Sequence, residues 1–174
     1  MGEHGENESV LWVSSFLPAC RGTPMNYEIH FVAPSSAASD VVRIVGESSQ
    51  LDCRFWLLHS CYISALTAHT QNEIQLRKRE ALLEAQASLF FRIDIREFSK
   101  ELDGVDMDEM GLCGFLQSIG DEIDADAMES IWSTAHVSIG LCDGIYWSVH
   151  SKDAKLLQRI RGELMKGLPK LQFE

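Results

Sequence analysis

Between Met25 and Val32 apolar and polar residues alternate, with Tyr27, Ile29 and Phe31 set against Asn26, Glu28 and His30. A period of two is the signature of a half-buried strand. Val10 to Leu17 has the composition of another strand, closed by Pro18. After Pro34 the period changes. Ala38, Val41, Val42 and Val45 fall at i, i+3, i+4 and i+7, which predicts a short amphipathic helix stopping near Gly46. Residues 51–66 are apolar without a clear period, and a buried strand over Arg54–His59 fits them best. Thr70-Gln71-Asn72-Glu73 has the form of a capping box, in which the Thr side chain accepts the N3 amide. It predicts a helix from Gln71 to Ala87, with Ile74, Ala81, Leu82 and Ala85 on the inward face.

Leu89 to Phe98 reads as a strand with Phe91, Ile93 and Ile95 inward. Two short helices are expected over Met107–Ile119 and Ala125–Ala135. A last helix spans Lys152 to Lys166, with Ser151 as N-cap and Leu157, Ile160 and Leu164 as its buried stripe.

The segment from His136 to His150 is a hairpin, and its register can be argued. Asp143-Gly144 invites a two-residue turn. That register pairs Val137 with His150 and puts apolar and polar groups on one face. A three-residue loop, Cys142-Asp143-Gly144, pairs Leu141 with Ile145 and His136 with His150. Val137, Ile139, Leu141, Ile145, Trp147 and Val149 then share one face, and His136, Ser138, Gly140, Tyr146, Ser148 and His150 the other. A one-residue slip moves every side chain to the wrong face, so the pattern selects the second register.

Mixed helices and strands with a hairpin define an α+β fold, a mainly antiparallel sheet of about five strands packed with several helices. The 174 residues fit a single domain over residues 10–174, preceded by a frayed, disordered N-terminus at residues 1–9 that lacks apolar periodicity. No apolar run is long enough to cross a bilayer, and the acidic start, Met1-Gly2-Glu3-His4-Gly5-Glu6, is unlike a secretory signal or a myristoylation site. A cytoplasmic protein is expected. Its five cysteines, Cys20, Cys53, Cys61, Cys113 and Cys142, are odd in number and scattered, so they are expected as reduced thiols.

Charge changes the picture more than composition does. The formal net charge is -11, and eleven of the 26 acids lie within residues 101–151, which hold no Lys or Arg. The rest of the chain carries 15 acids against 15 bases, so one third of the sequence holds the whole excess. Such a field repels phosphate backbones, which argues against nucleic acid, and it attracts and steers a basic protein. The plainer alternative is a solubilising face. The candidate partner-binding residues are Glu101, Asp103, Asp106, Asp108, Glu109, Asp121, Glu122, Asp124, Asp126 and Glu129. The basic runs Arg77-Lys78-Arg79 and Lys152, Lys155, Arg159 and Arg161 are solvated helix faces, or else meet the acidic segment across a homodimer.

Recognisable chemistry is sparse. Asp106-x-Asp108-x-Met110-Gly111 begins like a calcium loop, but Met110 and Gln117 stand where ligands are required, and an EF-hand is rejected. Nucleotide, phosphate-loop, serine-hydrolase and zincin motifs are absent from the sequence. Cys53, His59, Cys61 and His69 are zinc-type ligands in a spacing that matches no familiar module, with His59 and Cys61 placed on one strand face. His136, His150 and Tyr146 could bind metal or shuttle protons, or be ordinary polar residues on a half-buried hairpin.

No cofactor and no metal is therefore expected. The leading expectation is an acidic protein-binding or inhibitory protein, similar in class to bacterial toxin-neutralising immunity proteins. The alternatives are a small enzyme with a His/Asp site and a non-catalytic subunit of a larger assembly.

Overall fold

A computed structural model describes residues 27–64, 70–85, 90–116 and 134–173. Among these residues seven strands form one antiparallel sheet: β1 (Tyr27–Val32), β2 (Phe55–Ile63), β3 (Phe91–Ile93), β4 (Met107–Phe115), β5 (Val137–Cys142), β6 (Tyr146–Ser151) and β7 (Gln172–Phe173). Their order is β3-β2-β4-β5-β6-β1-β7. Among the described residues four α-helices accompany them: α1 (Ala38–Ser48), α2 (Gln71–Ala85), α3 (Ile95–Glu101) and α4 (Ala154–Gly167). The α+β class and antiparallel sheet are as expected, with seven strands rather than about five. The outermost strands have only three and two residues, which keeps the unpaired edges short.

The helices and one face of the sheet enclose the main core. Val41, Val42, Val45, Phe98, Leu156, Ile160 and Leu164 meet Phe31, Leu58, Met110, Leu112, Ile139, Trp147 and Val149 there. The other face carries a smaller cluster of Leu57, Cys113, Phe115 and Ala135. The apolar face of α1 is the one its periodicity predicts, but the helix runs past Gly46 to Ser48. Gly46 is where Ile95 approaches, and a Cβ there would lie 2.8 Å from Ile95 Cγ1.

Several expectations need correction. Residues 107–115 form a strand, not a helix. This central strand is buried on both faces and shows no period of two, and its glycines are the missed signal. Gly111 and Gly114 would each weaken a helix by about 1 kcal/mol. In the strand they admit the His59 ring and Trp56. The segment 89–98 is a three-residue strand followed by α3, because Asp94 caps that helix by accepting the Arg96 and Glu97 amides. In α4 the cap is Asp153, which accepts the Lys155 amide, whereas Ser151 accepts the Asp153 amide one step earlier.

Helix α2 is rolled away from its expected face. Thr70 caps it, accepting the Glu73 amide. The buried residues are Glu73, Leu76 and Leu83, while Ile74 and Leu82 are exposed. Arg77 Nε lies 2.7 Å from Glu73, Arg79 pairs with Glu101, and Glu80 accepts the Ile63 amide on the free side of β2. These tertiary contacts set the roll of a helix whose own apolar stripe is weak. The expected strand at Val10–Leu17 and helix at Ala125–Ala135 lie in or run into residues outside the described ones.

The hairpin keeps the expected faces with its pairing shifted by one pleat. Cys142 faces Tyr146, Leu141 faces Trp147 and Ile139 faces Val149. The loop is Asp143-Gly144-Ile145, so Ile145 leaves the apolar face and is 40% exposed. Asp143 and Gly144 take φ of 51° and 70°, the left-handed region in which glycine is unstrained. The turn is pinned from both sides: Gly144 N–H donates to Asp108 O (2.9 Å), and Ala33 N–H donates to Ile145 O (3.0 Å).

Candidate functional site

The turn residues bring separate acids together at one end of the sheet. Asp108 accepts the Gly144 amide through its carbonyl, and Asp106 accepts a hydrogen bond from Ser35 Oγ at 3.1 Å. A register shift between Tyr62 and Ile63 leaves Asp108 without a partner position on β2. It explains why Asp108 and Glu109 are both exposed although they are consecutive in a strand. Tyr62 on β2 faces Glu109 on β4, and Cys142 on β5 faces Tyr146 on β6. Continuing the β4–β5 register sets Glu109 beside Cys142, so a Tyr-Glu-Cys-Tyr row crosses four strands.

The protonation behaviour of this row records its surroundings. Partial burial raises the Glu109 carboxyl, the Ser60 hydroxyl that donates to it opposes the rise, and the charge of Asp143 adds to it. Tyr62 is raised by desolvation and then by Glu109, Glu84 and Glu80. Cys142 is raised by desolvation, then by Asp143 and Glu109. Every neighbouring charge that acts on these three groups is a carboxylate. Exposed Tyr62, Ile145 and Tyr146 stand among them, giving apolar contact area inside an acidic rim.

Not all the expected acids belong here. Glu101 is held by Arg79 on the helix side of the sheet. Asp103 is exposed in the turn after α3. Asp121, Glu122, Asp124, Asp126 and Glu129 lie outside the described residues. Glu84 of α2 and Asp143 of the turn complete the acidic end. Asp143 was counted in the charge excess but omitted from the candidate residues, and the Asp-Gly turn signal could have placed it.

The Cys/His constellation is not assembled. The register shift between Leu58 and Ser60 makes His59 the extra residue of a bulge. Cys61 therefore points with Leu58 into the main core, while the His59 ring lies over Gly111 on the other face. Burial pushes Cys53 and Cys61 up to about 12 and drives the proton off His59, down to about 3. His69 is outside the described residues. Cys53, Cys61, Cys113 and Cys142 are thiols in no disulfide. Among the described residues no group of three or more His, Cys, Asp or Glu is arranged to hold a metal ion, and no helix is long and apolar enough to cross a membrane.

His136 does not oppose His150. His150 faces Ser138 on β5 and Glu28 on β1, and the His136 carbonyl accepts the Lys152 amide. Tyr146 belongs to the acidic row instead. The histidine that sequence reasoning left unused is His30, whose place opposite Ser148 sets it beside His150. Comparison with known family models, curated proteins and solved structures gives no match for this chain.

Proposed function

We propose that this chain is a binding protein that docks a basic protein segment on the acidic, tyrosine-lined end of its sheet. The observation that carries the reading is the convergence of Asp108, Glu109 and Asp143 around Tyr62, Cys142 and Tyr146, four strands and a turn contributing. Carboxylates steer a cationic partner and select its register, and partly exposed tyrosines supply contact area at small entropic cost. An inhibitory role, in which the acidic end covers the cationic working surface of a toxin, is the specific form we favour. Cytoplasmic placement belongs to the same proposal, since the unbridged thiols suit a reducing compartment.

A homodimer through the basic runs has less support. Arg77 and Arg79 pair with Glu73 and Glu101 within the chain, Arg159 pairs with Asp52 at 2.6 Å, and Arg161 lies over the Phe173 ring.

The test is capture with the tagged full chain at low salt, alongside a variant carrying Asp108→Asn, Glu109→Gln and Asp143→Asn. A specific basic protein retained by the parent chain and lost from the triple variant, with both chains folded, supports the reading. Retention of the same proteins by both chains contradicts it.

A further inference from the structure

The β1–β6 pair carries a cluster that the docking surface does not use. Register places Glu28 opposite His150 and His30 opposite Ser148. The two imidazoles meet edge to face with centroids 6.0 Å apart. One carboxylate oxygen serves both: Glu28 Oε2 lies 3.4 Å from His150 Nδ1 and 3.6 Å from His30 Nε2. We propose that Glu28, His30 and His150 bind protons as one unit and form a proton-responsive clamp between β1 and β6.

The geometry gives the unit its behaviour. A single carboxylate compensates one imidazolium. A second proton places two like charges about 6 Å apart with one negative charge between them, so a charge on His30 opposes a charge on His150. Burial of His150 opposes its charging, Glu28 favours it and His30 opposes it. Among the described residues the other polar groups on this face are Ser138, Ser148, Tyr146 and Cys142, with His136 and Lys152 just before β5 and just after β6. None of them is a carboxylate that could compensate the second proton.

The clamp also sits where the sheet is thin. Among the described residues β7 pairs with β1 only at Phe31 and Val32, so Tyr27 to His30 are paired on the β6 side alone. The second, uncompensated proton therefore strains the one ladder that holds this half of β1.

Imidazole NMR titration of the full chain, with resonances assigned through His30→Gln and His150→Gln, tests the unit. The His150 midpoint is expected to fall in Glu28→Gln and to rise in His30→Gln, each by about half a unit or more. A midpoint unmoved in both variants overturns the coupling. Amide exchange, corrected for intrinsic rates, tests the clamp. Protection across β1, taken relative to that of β4 and β5, is expected to fall about threefold or more from pH 7.5 to 5.0 in the parent chain and to stay flat in His150→Gln. Flat protection in the parent chain, or an unchanged fall in His150→Gln, overturns it.

Discussion

Gly111 and His59 occupy space that only this pairing of side chains can share. A Cβ on Gly111 would lie 1.9 Å from His59 Cε1, which no small adjustment relieves. Gly111→Ala is therefore expected to destabilise the fold by about 2–3 kcal/mol, the upper range for overpacking. His59→Ala, costly alone, should suppress much of that loss when the two are combined. A double-mutant cycle by urea denaturation checks it, and simple additivity would contradict the contact. The same histidine carries a pH signature. Its Nε2 is shut off from solvent, and burial holds its proton affinity down at about 3. The unfolded chain takes up that proton near pH 6.5, so it binds more protons than the native state between 6.5 and 3. Stability is then full above pH 6.5 and falls as the pH drops towards 3, by about 2 kcal/mol at pH 5 from His59 alone. Urea melts at pH 7.5 and 5.0 measure it, and a His59→Leu chain should show a clearly smaller loss.

Among the elements, the hairpin joins the core to the docking end. Trp147 is 1% exposed, stacks on Phe31 with centroids 6.2 Å apart, and donates Nε1–H to Ala33 O. Trp147→Ala should cost about 3–5 kcal/mol in a thermal or urea melt. An unchanged melt would contradict this packing. The hairpin faces were legible because alternation fixes which side a residue takes. The pairing was not, because a shift of one pleat preserves both faces and only the turn and the bond from the Gly144 amide to the Asp108 carbonyl choose between them. Similar limits explain the other misreadings. β4 lacks alternation because both of its faces are covered, and α2 takes its roll from contacts with residues distant in sequence, the Arg79–Glu101 pair and the bond from the Ile63 amide to Glu80. Asp94-Ile95-Arg96-Glu97, by contrast, is a local cap signal that was available and overlooked. Of the site, the acidic excess was visible as a count. Its gathering around Tyr62 and Tyr146 depends on β2, β4 and the turn meeting, and no local pattern encodes that.

For the whole molecule, the account rests on an uneven charge placed by the fold. The bases are largely engaged within the chain or on the helices, while Asp108, Glu109 and Asp143 stand together at the sheet end. Attraction between exposed charges is screened beyond about 8–10 Å at physiological salt, so a steered encounter slows as salt rises. The most direct measurement is the stopped-flow association rate of the purified chain with its captured basic partner, across ionic strengths from about 0.02 to 0.5 M. The parent chain should associate about tenfold or more faster at the low end than at the high end. The Asp108→Asn, Glu109→Gln, Asp143→Asn chain should associate more slowly, with a much flatter salt dependence and a smaller change in dissociation. Equal rates and equal salt slopes for the two chains would contradict the docking role of the acidic end.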